Sequence, residues 1–455
     1  MYETRALPVL EALLAGVGWH DAPLERLEII DNGIALSTDW PVTANAIAAL
    51  AAVGLAASAL QERRSGERRA VRIDTRQAGL AMASSSYLTM NGENAKFRDP
   101  FTGFYEASNG EWVFLHGNFA HLRGGLLALL GVNAPEDVAA AVRRRDAAAL
   151  EQDAIDAGLC AALVRTRAQW EAHAQAGSLK AVPLVAIERI GDAAPRARSA
   201  ASQPLRMLDF SRVIAGPMAG RTLAEHGADV LLVSGPGLPS ITSLVIDTGF
   251  GKRAAEIDLR SAEGHALALA LAADADIVLD AYRPGALAGL GLGRGDFVAT
   301  APGLVHVDLD AFGPAGPFAG RRGYDSLVQA TVGMCRTSTE PPTNLPCQPL
   351  DYLTGYLAAF GAMLARMRQE ELGGSWSVRL SLAGTAAWMW QTYDDLGPEP
   401  GRPERNPKAS EIGEVLDHYQ TGFGEIAAIR PPLQASDWRW SQPPVPLGTH
   451  PPAWS

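Results

Sequence analysis

The chain has 455 residues, 47% of them apolar and 20% charged, with a formal net charge of −11 and three cysteines. That length allows two or three domains with sizeable cores. The acidic balance excludes non-specific binding to nucleic acid or to an anionic membrane, since both need a basic surface. Cys160, Cys335 and Cys347 lie far apart and fit no metal spacing, which points to a reduced compartment without a disulfide framework. The N-terminal MYETRALPVLEALLAGVGWHD carries acids and no clean apolar segment, so it does not read as a signal peptide. No apolar run free of charges or breakers approaches roughly 18 residues, so no membrane span is expected. The expected location is cytoplasmic.

Residues 1–40 read as short apolar pieces broken by Gly16, Gly18 and Pro23. Pro41 to Leu60 is alanine-rich and predicts a helix, followed by the charged turn QERRSGERR and the strand-like AVRID. Residues 97–131 predict a hairpin turning at Ser108-Asn109-Gly110 and feeding a helix. His116 and His121 make a poor ligand pair at that spacing and read as structural or solvent-facing. Residues 134–175 read as solvated Ala/Arg-rich helices, and Ala193 to Pro204 as a linker.

After the linker the texture changes. Leu205 to Phe210, Ala228 to Val233, Asp276 to Asp280 and Gly303 to Val307 are apolar strands alternating with helices. That order predicts an α/β fold with a Rossmann-like parallel sheet covered on both faces. Its ligand site is expected at the carboxyl ends of the strands. Pro349 ahead of Asp351 starts a predicted helix with Asp351 at or near its N-cap, where free N–H groups and the helix dipole should keep the carboxylate ionised. Beyond Gly397 the chain is rich in Pro and Trp and reads as an extended tail.

The segments LDFSRVIAGPMAGRTLAEHGADVLLV, GKRAAEIDLRSAEG, ADIVLDAYRPGALAGLGLG, GLVHVDLDAFGPAGPFAGRRGYDSLVQA and QPLDYLTGYLAAFGAMLARMRQE form one signature. It resembles the family III (CaiB/BaiF) CoA-transferases over about Leu205 to Met389. The resemblance implies an acyl-CoA:carboxylate CoA-transferase with Asp351 as its catalytic residue. A fixed carboxylate attacks a thioester carbonyl, forms an acyl-aspartyl anhydride and releases CoA, so no metal or permanently bound cofactor is required. Coenzyme A and acyl-CoA enter as substrates, with a small carboxylic acid as the other partner. The implied substrate pocket is Ile214, Ala215, Gly216, Tyr324 and Asp325. The implied CoA contacts are Lys252, Arg253, Ile257, Arg260, Ala281, Tyr282, Arg283, Ala286 and Leu290.

Racemases of this family use a His where Tyr324 stands and a Glu in a small-domain stretch where HGNFAHLRGGLL offers Asn118. Both absences argue against proton abstraction. A thioester hydrolase, or a non-catalytic relative acting as a binding subunit, are the other readings. Two basic residues expected for CoA phosphates are missing, at Gly235 and Gly289. A Gly-rich lid is missing as well.

Pro41 to Met82 also looks like a worn copy of Gln348 to Met389 at a constant offset, with Ala44 opposite Asp351. The expected organisation is a truncated large-domain copy (1–95), a small α+β domain (96–195), a linker (196–204), a complete large domain (205–395) and a C-terminal tail (396–455). A fused copy can cover the face that a second chain would cover, so a monomer or a homodimer is expected.

Overall fold

A computed structural model describes residues 2–96, 98–196, 203–433 and 438–455. Most of the expected linker falls outside these residues. The chain opens with a helix over Tyr2–Gly16, where the sequence reading had broken apolar pieces; Leu10, Leu13 and Leu14 are buried in the main core. Strand β1 (Leu27–Ile30), helix α1 (Val42–Ser65), strand β2 (Val71–Asp74) and helix α2 (Thr75–Ala81) follow, with β1 and β2 paired in parallel. Helix α1 runs 24 residues and is long and apolar enough to cross a membrane, contrary to the expectation of no such run. Its apolar surface is buried within the protein, 94% of the most apolar stretch, as befits a core helix.

The hairpin β3 (Gly103–Glu106) and β4 (Trp112–Leu115) turns at Ser108-Asn109-Gly110, and Gly110 donates to the Ala107 carbonyl at 3.2 Å. Helix α3 (Ala120–Leu130) and strand β5 (Ala161–Leu163) complete that small unit.

The next strand, β6 (Ala186–Gly191), joins a seven-stranded sheet with β7 (Arg206–Phe210), β8 (Asp229–Ser234), β9 (Arg253–Glu256), β10 (Ile277–Asp280), β11 (Val305–Asp310) and β12 (Ser375–Ser381). The spatial order is β9-β8-β7-β10-β11-β12-β6, all parallel except β6 at one edge. The strand order reverses between β7 and β10, which opens a crevice at their carboxyl ends. Helices α4 (Ala215–Glu225), α5 (Thr242–Thr248), α6 (Asp325–Thr331), α7 (Pro349–Leu372) and α8 (Leu382–Leu396) accompany the sheet, with α4 and α7 packed on each other. The tail is not simply extended. Leu416–Thr421 and Gly424–Ile429 pair as a hairpin, with Gly424 at φ +100°, and the second strand pairs with Thr89–Met90.

Helices α1 and α7 pack along each other and are both 24 residues long. The same offset separates their starts, their ends, the glycines Gly54 and Gly361, and the valines Val71 and Val378. A Cβ at Gly54 would lie 2.5 Å from Val71, and one at Gly361 would lie 2.6 Å from Val378. The caps of α2 and α8 also correspond: the Asp74 side chain accepts from Gln77 N–H and the Ser381 side chain from Gly384 N–H.

Candidate active site

The crevice is a cavity of about 620 Å³, with Asp351, Tyr324 and the start of α4 in its wall. Gly355, one helical turn beyond Asp351, sets the depth of this wall. A Cβ there would lie 2.6 Å from the Ala215 carbonyl oxygen and 2.6 Å from the Met218 Cβ, so only glycine lets α7 approach the first turn of α4. Helix α4 starts without a side-chain cap at Ile214, which leaves first-turn N–H groups at the cavity wall. Val213, just before it, has φ +75°, a strained conformation for a β-branched residue, and it too lines the cavity.

Asp351 is the third residue of α7 and not its N-cap, which is Gln348. Its side chain is 5% exposed and stands against a second carboxyl, that of Asp325. Asp325 accepts hydrogen bonds from the Asp351 N–H at 3.0 Å, from the Leu350 N–H and from the Gln329 side-chain amide. The cap that the sequence reading assigned to Asp351 is therefore supplied by Asp325, from 26 residues upstream. Burial first, and then the charge of Asp325, push the Asp351 carboxyl well above the usual carboxylate range. Burial also raises Asp325. This runs against the expectation that Asp351 stays ionised: burial and the neighbouring Asp325 charge both favour its neutral form. Replacing Asp325 by Asn removes the repulsion, so the acid limb of any Asp351-dependent rate is expected to move to lower pH. A pH–rate profile of the purified variant checks this, and an unmoved limb would separate the two carboxyls electrostatically.

Ile214, Ala215, Gly216 and Tyr324 all line the main cavity, while Asp325 lines a small chamber behind Asp351. Of the expected CoA contacts, Ile257, Arg260, Ala281, Tyr282, Arg283, Ala286 and Leu290 line the cavity, and burial pushes the Tyr282 phenol up to about 12. Lys252 and Arg253 do not line it, which corrects the sequence assignment. Lys252 is 1% exposed and bonds Asp209 at 2.8 Å under the sheet, and Arg253 is tied to Asp229 at 2.9 Å. Gly235 is in the wall without a basic side chain, and Gly289 is outside it.

The cavity has other cations that the sequence reading missed. Arg212 and Arg322 line it, Arg322 within 3.5 Å of His121, which is itself in the wall. Arg321 also lines it, but Glu151 holds it at 3.2 Å together with Arg165. His116 lines the chamber and stacks on Tyr324 at 4.0 Å between centroids. Burial and nearby Arg98 drive its pKa down to about 3, so it is neutral. The two histidines read as structural are thus part of the site walls. The only available signal was the Arg-Arg-Gly-Tyr-Asp run, which sets a cation beside Tyr324. Among the described residues no group of His, Cys, Asp and Glu is arranged to hold a metal ion.

A family model described as CoA-transferase family III matches residues 203–431, about half of the chain. A Mycobacterium tuberculosis protein named "Probable fatty acyl-CoA transferase Rv3272" is 30% identical over 248 residues, 49% of this chain and 63% of that relative. An "Acyl-CoA transferase" of Gibberella moniliformis is 28% identical over 427 residues, 82% of this chain and 73% of that relative. The crystal structure of a CAIB/BAIF family protein from Brucella suis matches at 25% identity and a TM-score of 0.38, over 49% of this chain and 64% of that one. The chain thus spans 63% of the length of the first of these relatives.

Proposed function

The chain belongs to CoA-transferase family III, and on that premise we propose that it is an acyl-CoA:carboxylate CoA-transferase in which Asp351 carries the acyl group as a mixed anhydride. The observation that supports this reading is that Asp351 and the uncapped first turn of α4 share one cavity wall. A carboxyl oxygen of Asp351 attacks the thioester carbonyl, a C–O bond forms and the C–S bond breaks. First-turn N–H groups of α4 are the donors for the oxyanion. Asp351 attacks in its ionised form, and CoA leaves as the thiolate with the electron pair of the C–S bond. The carboxylate of a second acid then displaces the first from the aspartyl carbonyl. CoA sulfur attacks the new acyl carbonyl, which frees Asp351. Arg260 and Arg283 are the proposed phosphate contacts, joined by Arg212 and Arg322.

Neither ring beside Asp351 suits the second base that exchange of an α-proton needs. Burial raises the Tyr324 phenol, and a His116 imidazole held down to about 3 is a weak base. Given a 2-methylacyl-CoA and a carboxylic acid in deuterated water, the protein is expected to form a new CoA ester without deuterium at the α-carbon. Exchange without transfer would replace the transferase with a racemase.

The proposal extends to the build of the chain: residues 1–95 as a decayed copy of the large domain, 96–195 as a small unit, 205–395 as the complete copy and 396–455 as a tail. The matched helix ends, glycines and caps of α1 and α7 support it. In the copy, Ala44 replaces Asp351, and the Thr43 N–H is bound by the buried Glu399 carboxylate at 3.2 Å, as the Leu350 N–H is bound by Asp325. One catalytic carboxylate per chain follows.

A further inference from the structure

Gln329 lies on α6, one turn beyond Asp325, and is 1% exposed. Its side-chain amide meets two parts of the chain at once. The Nε2 group donates to the Asp325 carboxylate and, at 3.3 Å, to the Cys347 carbonyl, while Oε1 accepts from the Leu345 N–H at 2.8 Å. A carboxylate and a carbonyl only accept and a backbone N–H only donates, so the three partners fix which way the amide points. No other side chain of this length offers two N–H donors and an acceptor in one plane.

Both ends of that amide bear on α7. Asp325 takes the N–H groups of Leu350 and Asp351, the first two that the helix offers after Pro349 at its start. Leu345 and Cys347 lie in the segment that leads into the helix, whose N-cap Gln348 makes no side-chain cap bond. The Asn344 side chain adds a bond to the Ser326 carbonyl at 3.0 Å. Side-chain bonds thus hold the entry and the first turn of α7 to α6, and Asp351 stands in that turn. Gln329 itself walls neither the cavity nor the small chamber, so it touches no substrate there.

The other ionisable groups around Asp325 are Arg98 and His116 in the chamber wall, Tyr324 stacked on His116, and the Cys335 and Cys347 thiols, which burial pushes up. Burial raises the Asp325 carboxyl to about 7, while the Asp351 N–H and the Gln329 amide oppose it by favouring the ionised form. The charge so kept on Asp325 adds to burial in favouring the neutral form of Asp351.

We propose that Gln329 is a positioning residue for the reaction at Asp351, fixing with one amide both the carboxyl that faces Asp351 and the chain that enters α7. The inference rests on the transferase reading, but the effect on Asp351 can be read without turnover. Gln329→Met keeps the length and loses all three bonds. In that variant kcat for CoA transfer is expected to fall about 10- to 100-fold, the cost of a small misplacement of a reacting group, with KM for acyl-CoA unchanged. A water-soluble carbodiimide activates the protonated carboxyl, so labelling of the Asp351 peptide against pH, without acyl-CoA, gives its titration midpoint. In Gln329→Met that midpoint is expected about one pH unit lower, since Asp325 loses a donor, binds a proton more readily and repels Asp351 less. In an Asp325→Asn background, Gln329→Met should move it no further. Gln329→Asn, an amide one methylene too short, serves the same test should the methionine variant not fold. A raised KM with full kcat would make Gln329 a substrate contact and overturn the inference. Wild-type kcat, an unmoved midpoint, or an equal shift in Asp325→Asn would overturn it as well. No transfer by the wild type with any acyl-CoA would sink the transferase reading, and the labelling midpoints would still decide the role of Gln329.

Discussion

Asp351→Ala is expected to lower CoA transfer on the order of 10³-fold or more, because it removes the carboxyl that carries the acyl group in the proposed reaction. The fold should persist. The side chain caps nothing, and removing a buried carboxyl that repels Asp325 offsets part of the lost packing. Stability is therefore expected to change by only about 1 kcal/mol. Transfer rates and thermal midpoints measured on the same preparation separate the two effects. Asp351→Asn should be as inactive as the alanine variant, since an amide does not attack a thioester, and this distinguishes loss of chemistry from loss of shape.

The largest stability effect is expected at Asp247. Its carboxylate joins three parts of the chain. It accepts from the Ser84 hydroxyl at 2.6 Å in the N-terminal segment and from the Tyr352 hydroxyl at 2.9 Å next to Asp351, and it pairs with Arg221 at 3.3 Å. Arg221 and Asp247 are 3% and 1% exposed, and the guanidinium lies over Phe250 and over Trp440 of the tail. Tyr352 also accepts from the Ser85 N–H at 2.9 Å, and the Gln348 N–H donates to the Met82 carbonyl at 3.1 Å. The N-terminal segment thus grips the first turn of the catalytic helix.

Asp247→Ala leaves Arg221 buried and unpaired, which costs about 3–5 kcal/mol. It also frees the Tyr352 end of α7, so kcat should fall with the midpoint of denaturation. Asp247→Asn keeps the shape and one acceptor and should lose less of both. A denaturation midpoint for Asp247→Ala that matched the wild type would mean that the N-terminal segment is not held to the catalytic helix through this carboxylate.

Much of the architecture was legible because the signals were local. Apolar strands with helices between them have a period that only a covered parallel sheet satisfies, and the strands at Arg206–Phe210 and Ile277–Asp280 begin within a residue of their expected places. The hairpin at Ser108-Asn109-Gly110 was read from turn chemistry alone. The tail hairpin was not, since Pro- and Trp-rich stretches on either side of it set the reading, and its second strand finds its other neighbour at the distant Thr89–Met90.

The site was legible in part, and the failures share a cause. Asp351 was visible as an acid at a helix start, but its ionisation depends on Asp325, whose approach is a tertiary fact. Lys252 and Arg253 look like ligand-binding cations in sequence, and the fold spends both on the buried acids Asp209 and Asp229. Conversely, Arg212 and Arg322 were passed over in the sequence, and the fold brings both to the wall of one cavity. His116 read as structural or solvent-facing, and its burial against Tyr324 is a tertiary fact.

The central claim is that Asp351 alone carries the acyl group. Turnover with an acyl-CoA in the presence of hydroxylamine, followed by peptide mass spectrometry, tests it most directly. The expected result is an aspartyl hydroxamate on the peptide containing Asp351, approaching one equivalent per chain and absent from Asp351→Ala. An adduct on another residue, two equivalents per chain, or continued transfer with no trapped Asp351 would contradict it.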